Sequence, residues 1–217
     1  MKIAYLYYDF LNLYGESGNI KIIENILKQN KIKYQIELLS LNDELQFENY
    51  DLVYIGSGTE SNQAKALEHL KKYEKDILKY IDDNKFMLVT GNSLDMFFKE
   101  IIDDKKYKGL NVFDYTVKRG KRKMNEVYTN SLVTNKKILG FINNNSYVEI
   151  ENNLFEDDGI RKNNFFGTYI LGPILVRNPE FLKYFLNNLL NKKIKYDLKL
   201  ETKAYNEFVN NFKTVKE

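Results

Sequence analysis

The sequence predicts an α/β fold: a doubly wound, mostly parallel sheet with helices on both faces. Three observations point there. Short apolar runs and stretches of helical periodicity follow one another through the first half in the order β-α-β-β-α-β-α. The runs are apolar on nearly every position rather than alternating, as strands covered on both faces must be. Three of them give way to small or polar residues at their carboxyl ends, at 11–19, 56–63 and 90–93. In a doubly wound sheet such ends line the crevice where ligands bind, so these three should converge.

Taken in order, residues 2–10 (KIAYLYYDF) read as a buried strand. A loop with Gly15 and Gly18 follows, then a helix through Ile20, Ile23, Ile26 and Leu27. Residues 33–39 form a second strand, and 50–55 (YDLVYI) a third that runs into Gly56-Ser57-Gly58. One long amphipathic helix is expected next, with Leu67, Leu70, Tyr73, Ile77 and Ile81 on a single stripe. Residues 86–98 (FMLVTGNSLDMFF) form the centre of the chain. They read as a strand, a tight turn at Thr90-Gly91-Asn92 and the first turn of a helix capped by Asn92 or Ser93. Such an elbow holds one side chain clear of the backbone and aims free helix N–H groups at it. The residue at its apex is Thr90.

The second half changes character. Residues 111–116, 126–130, 138–142 and 147–150 read as short strands between Asn-, Lys- and Gly-rich turns. Residues 165–171 (FFGTYIL) form another buried strand ending at Gly172-Pro173. Asn178-Pro179 opens a helix carrying Phe181, Leu182, Phe185, Leu186 and Leu189, and 202–213 forms a last amphipathic helix. With no Pro/Gly/Ser-rich linker and no repeat, residues 1–217 are expected to form a single domain.

Composition narrows the chemistry. The 217 residues contain no Cys and one His. That excludes disulfides, thiolate metal sites and a Cys nucleophile, and leaves little room for a His-based metal site or a Ser-His-Asp triad. A net charge of +3 is too small to suggest nucleic acid as a partner. No signal peptide and no membrane-spanning apolar run is found, so a cytoplasmic location is expected.

The segments LNLYGESGN (11–19), YIGSGTESNQ (54–63), the elbow, KILGFINNN (137–145) and GTYILGPILVRNP (167–179) carry a family likeness. Together they resemble the class I glutamine amidotransferase domain of the cobyric acid synthase type, and within it the amidotransferase subunits of lipid II isoglutaminyl synthases. The resemblance covers residue 2 to about residue 190. It implies a flavodoxin-like class I glutamine amidotransferase architecture, no cofactor and no metal. It also implies a Mur ligase-like partner subunit, to which the family supplies ammonia for amidating D-glutamate in the peptidoglycan stem. Family members hydrolyse glutamine with a Cys at the elbow apex and a His just before the Gly-Pro. Here those positions hold Thr90 and Leu171, so no catalytic residue is expected. The family's glycine, tyrosine and glutamine after the elbow are replaced by Asn92, Ser93 and Leu94. The substrate positions that the resemblance carries over are Gly56, Gly58, Gly91 and Arg122, where glutamine or another small molecule could sit.

An alcohol needs an adjacent general base to become a nucleophile, and Leu171 cannot be one. His69 is expected near the solvent side of its helix, out of reach. The run 118–123 (KRGKRK) reads as a solvated hairpin rather than a nucleic-acid site. Asp103-Asp104 and Glu156-Asp157-Asp158 read as solvated turns rather than ion ligands. Glycines 15 and 18 are explained by tight turning as well as by a phosphate cradle. Three readings follow: a degenerate amidotransferase-like subunit, a stand-alone small-molecule binding protein on the same fold, or an active glutaminase with non-standard residues.

Overall fold

Alternate residues of the central strands feed two separate cores. In the computed structural model, which describes residues 1–151 and 153–214, these strands are β1 (Lys2–Leu6), β2 (Gln35–Leu39), β3 (Leu52–Ile55) and β4 (Phe86–Thr90). With β9 (Ile160–Lys162) and β10 (Phe165–Thr168) they make a six-stranded sheet in the order β2-β1-β3-β4-β10-β9. All pairings are parallel except that of β9 with β10. Ala4, Leu6, Val53, Ile55, Met87, Val89 and Phe165 pack on one face against α2 (Glu60–Leu70) and α3 (Glu74–Asp82). Ile3, Tyr5, Leu52, Tyr54, Phe86, Leu88 and Phe166 pack on the other against α1 (Ser17–Gln29), α4 (Ile174–Arg177) and α5 (Pro179–Leu190). This period-two alternation sends apolar side chains of the inner strands β1, β3, β4 and β10 to both helix layers, which is why those strands are mostly apolar, whereas the edge strands β2 and β9 carry polar residues. The doubly wound arrangement expected from the sequence is present.

A second sheet extends from the elbow, in the order β6-β5-β7-β8. Its strands are β5 (Phe98–Ile102), β6 (Lys106–Lys108), β7 (Phe113–Asn130) and β8 (Lys137–Tyr147). The separate strands expected at 111–116 and 126–130 are one 18-residue strand. Those expected at 138–142 and 147–150 reduce to β8. The basic run 118–123 lies inside β7, one strand of the antiparallel hairpin that β7 forms with β8. Its polar residues hid the strand because only the ends of β7 meet a core.

Two further expectations change. β1 stops at Leu6, since Tyr7 takes a left-handed backbone (φ 57°) that an aromatic residue adopts only where its surroundings hold it. The Tyr7 N–H bonds to the Leu39 carbonyl at 2.5 Å. The elbow leads into a seven-residue 3₁₀ segment, Gly91–Phe97, rather than an α-helix, and neither Asn92 nor Ser93 caps it. All seven residues are buried. The Met96 and Phe97 carbonyls, which a continuing helix would use, accept instead from the N–H groups of Leu110 (2.8 Å) and Val112 (2.9 Å). The last helix, α6, spans Lys199–Thr214. Among the described residues no helix is long and apolar enough to cross a membrane.

Candidate functional site

Thr90 ends β4, Glu16 closes the loop before α1, and Tyr54 lies on the neighbouring strand β3. The fold brings the three together. The Thr90 hydroxyl donates to Glu16 Oε2. The Tyr54 hydroxyl donates to the same oxygen at 2.8 Å and lies 3.2 Å from Thr90 Oγ1. Asn19 then donates to the Tyr54 oxygen at 2.9 Å and accepts from the Leu175 N–H at 2.9 Å. Glu16, Asn19 and Thr90 are all fully buried. Burial pushes the Glu16 carboxyl up to about 7, against the opposing effect of the hydrogen bonds from Thr90 and Tyr54. Its second oxygen, Oε1, makes no hydrogen bond of ordinary geometry, although the Gly172 backbone amide still favours the charge.

This pair corrects the sequence reading that left Thr90 without a proton acceptor. Glu16 reads as one more polar residue in a glycine-containing loop. The available signal was its position: an acid at the carboxyl end of β1, in one of the three segments expected to converge.

The surrounding space is filled. Gly91 has φ 64°, and a Cβ there would lie 2.3 Å from Ser57 Oγ and 2.8 Å from Leu171 Cδ2. Leu171, almost fully buried, is held by an antiparallel bridge to Phe141. Asn92 locks the loop after β3: its Oδ1 accepts from Ser57 Oγ (3.1 Å) and the Gly58 N–H (3.3 Å), and its Nδ2 donates to the Gly58 carbonyl (2.9 Å). Ser93 donates to the Gly56 carbonyl at 2.5 Å, and Gln63 donates to the Asn92 carbonyl. The Gly58 N–H, a donor that an open site could aim at an oxyanion, is thus engaged. A cleft of about 370 Å³ beside α2 and a hollow of about 520 Å³ beside Tyr14 and Gly172 are lined by none of Gly56, Gly58, Thr90 and Gly91.

Arg122 stands on β7, with its guanidinium paired to Glu60 and donating to Asn143 Oδ1 at 3.1 Å. The buried arginine of the same run is Arg119. It donates to Asp103 at 3.1 Å and to Gln63 Oε1, and lies 4.0 Å from the fully buried Asp95. Asp95 in turn accepts from Tyr169 (2.6 Å) and Ser146 (2.7 Å). Nothing in the local sequence pattern distinguishes Arg119 from its basic neighbours.

Two placements overturn the sequence reading. His69 is buried rather than near solvent: its Nδ1 lies 3.0 Å from the Tyr7 hydroxyl and its ring packs edge-on to Tyr73. Burial lowers its pKa, and its hydrogen-bond partner is Tyr7, not Thr90. Asp158 is buried rather than in a solvated turn. It accepts from the Thr168 hydroxyl and from the N–H groups of Tyr169 (2.9 Å) and Ile170 (3.3 Å), and burial raises its carboxyl to about 6.

The chain as a whole is similar to known proteins. The chain is 28% identical over 201 residues to the lipid II isoglutaminyl synthase (glutamine-hydrolyzing) subunit GatD of Staphylococcus aureus, covering 85% of this chain and 82% of that one. It is 23% identical over 219 residues to the subunit of the same name from Streptococcus pneumoniae, covering 92% and 84%. A crystal structure of a glutamine amidotransferase superposes with a TM-score of 0.54 at 14% identity, over 86% of this chain and 98% of the other, which establishes a shared fold. A family model matches residues 2–179, and the chain belongs to the family of CobB/CobQ-like glutamine amidotransferase domains.

Proposed function

We propose that the chain is a catalytically degenerate glutamine amidotransferase-like subunit, a single domain over residues 1–217, that partners a Mur ligase-like enzyme in amidating D-glutamate of lipid II. The relatives named for the lipid II isoglutaminyl synthase subunit support the role as a subunit and the lipid II pathway. The observation that carries the degeneracy is Thr90 and Leu171 at the positions that the resemblance gives to the family's two reacting groups, both buried, with the Thr90 hydroxyl tied to the buried Glu16. Gly56, Gly58, Gly91 and Arg122 are its remnant substrate positions. On this reading the subunit works in the cytoplasm, where it stabilises or regulates a partner that draws on free ammonia.

Affinity capture from the native host with mass spectrometry tests this reading. Recovery of a Mur ligase-like protein is expected, and its absence counts against the partnership.

The hydrogen bond from Thr90 to Glu16 favours a second reading, an active hydrolase with Glu16 as the base, since an alcohol next to a carboxylate is the minimum such chemistry requires. Burial opposes it. Glutamate release from glutamine at a rate lost in both Thr90→Ala and Glu16→Gln would establish it. The stand-alone binding reading is tested by melting-temperature shifts with glutamine, glutamate and nucleotides.

A further inference from the structure

The two faces of the second sheet are chemically opposite. Register sets Tyr107, Ile101 and Val117 side by side, and Ile101 and Val117 are buried in the core shared with α2 and α3. Successive side chains of a strand alternate between faces, so the adjoining rows point away from that core. One of these rows is Lys106, Ile102, Lys118 and Tyr147, cross-strand partners on β6, β5, β7 and β8. Another is Lys108, Glu100 and Thr116. The three lysines are exposed, and so is Tyr147 at 40%.

The acids of these strands are largely engaged. Glu100 pairs with Lys106 (2.7 Å), Asp103 with Arg119 (3.1 Å) and Asp114 with Lys99 (2.8 Å). Asp104 remains in the turn between β5 and β6. The ammonium groups of Lys105, Lys108, Lys118 and Lys121 have no acidic partner among the described residues. Lys123 Nζ stands 3.5 Å from the centre of the Tyr147 ring, which adds a further cation at this edge.

We propose that this outer face docks the chain on the surface of an anionic lipid bilayer, with the lysines on lipid phosphates and Ile102 and Tyr147 at headgroup depth. An aliphatic and an aromatic side chain interleaved with cations suit an interface that is wet on one side and apolar on the other. A surface that recognised a polyanion in water would gain little from Ile102. The reading above supplies the context, a lipid-linked substrate, and to that extent the inference rests on it. Vesicle binding needs neither the partner nor glutamine, so either reading can fail without the other.

The test is co-sedimentation of the full chain with vesicles of phosphatidylcholine alone or mixed with phosphatidylglycerol. Binding is expected only with the anionic vesicles and should weaken as salt shortens the screening length. The triple variant Lys106→Gln/Lys108→Gln/Lys118→Gln should bind roughly a hundredfold more weakly, from the contribution of each basic residue near such a surface. The variant Lys21→Gln/Lys192→Gln/Lys193→Gln removes equal charge at exposed positions on and after the α1 and α5 helices, and should bind as the parent does. No binding to anionic vesicles at low salt overturns the proposal, as does equal loss in both variants. Tighter, variant-sensitive binding to duplex DNA than to vesicles also overturns it and reassigns the face to nucleic acid.

Discussion

Thr90 and Glu16, 74 positions apart in the chain, share a hydrogen bond from which solvent is excluded on every side. The threonine hydroxyl and the carboxylate are an alcohol and a proton acceptor within hydrogen-bond reach. Closure makes the pair a structural tie between β4 and the loop that leads into α1.

The pair makes stability depend on pH. Glu16 is raised from an ordinary carboxylate value of 4.5 to about 7, so the native state holds a proton that the unfolded chain releases. The stabilisation is full below about 4.5 and is lost as pH rises through 7. Glu16→Gln should therefore gain on the parent between pH 5 and pH 8 by on the order of 3 kcal/mol, read from urea midpoints. A constant difference across that range contradicts the buried-carboxyl assignment. Asp158, raised to about 6, adds a change of the same sign at slightly lower pH.

Thr90→Val keeps the shape and removes one donor from Glu16. A loss of roughly 1–3 kcal/mol in unfolding free energy is expected, the cost of leaving a buried acceptor short of a partner. The variant should leave glutamine hydrolysis at background, as in the parent. Urea unfolding checks the first expectation and an assay of released glutamate the second.

Leu171→Ala empties a buried site beside Gly91 and Phe141. Unfolding measurements should show a loss of roughly 2–5 kcal/mol, with the upper end reached if the bridge to Phe141 prevents collapse.

Restoring the two reacting groups should not restore the reaction. In Thr90→Cys/Leu171→His the Gly58 N–H is still held by Asn92 Oδ1, so a developing oxyanion lacks a donor worth roughly 3–4 kcal/mol. The double variant is expected to release glutamate at least roughly a hundredfold more slowly than an active relative. Robust turnover by it would show that Asn92 gives way and that the site opens.

The fold was largely legible from the chain. β1, β3, β4 and β10 are runs that are apolar at most positions, Leu52–Ile55 at all of them, and the convergence of their carboxyl ends follows from doubly wound geometry. The second sheet was not legible as a sheet. β7 carries Lys118, Arg119, Lys121, Arg122 and Lys123 in its middle, where no core imposes a period of two.

Local sequence settles the identity of a side chain and the element that carries it, because both depend on near neighbours. Thr90 at the elbow and Leu171 before Gly172-Pro173 are of this kind, and both were evident without coordinates. Protonation, access and partnership are set by atoms distant in the chain. A carboxyl near 7 at Glu16, a buried imidazole at His69 and an arginine held inside at Arg119 arise only when separate elements pack and exclude water. Desolvation of this kind belongs to the assembled structure and leaves no mark on the pattern of neighbouring residues.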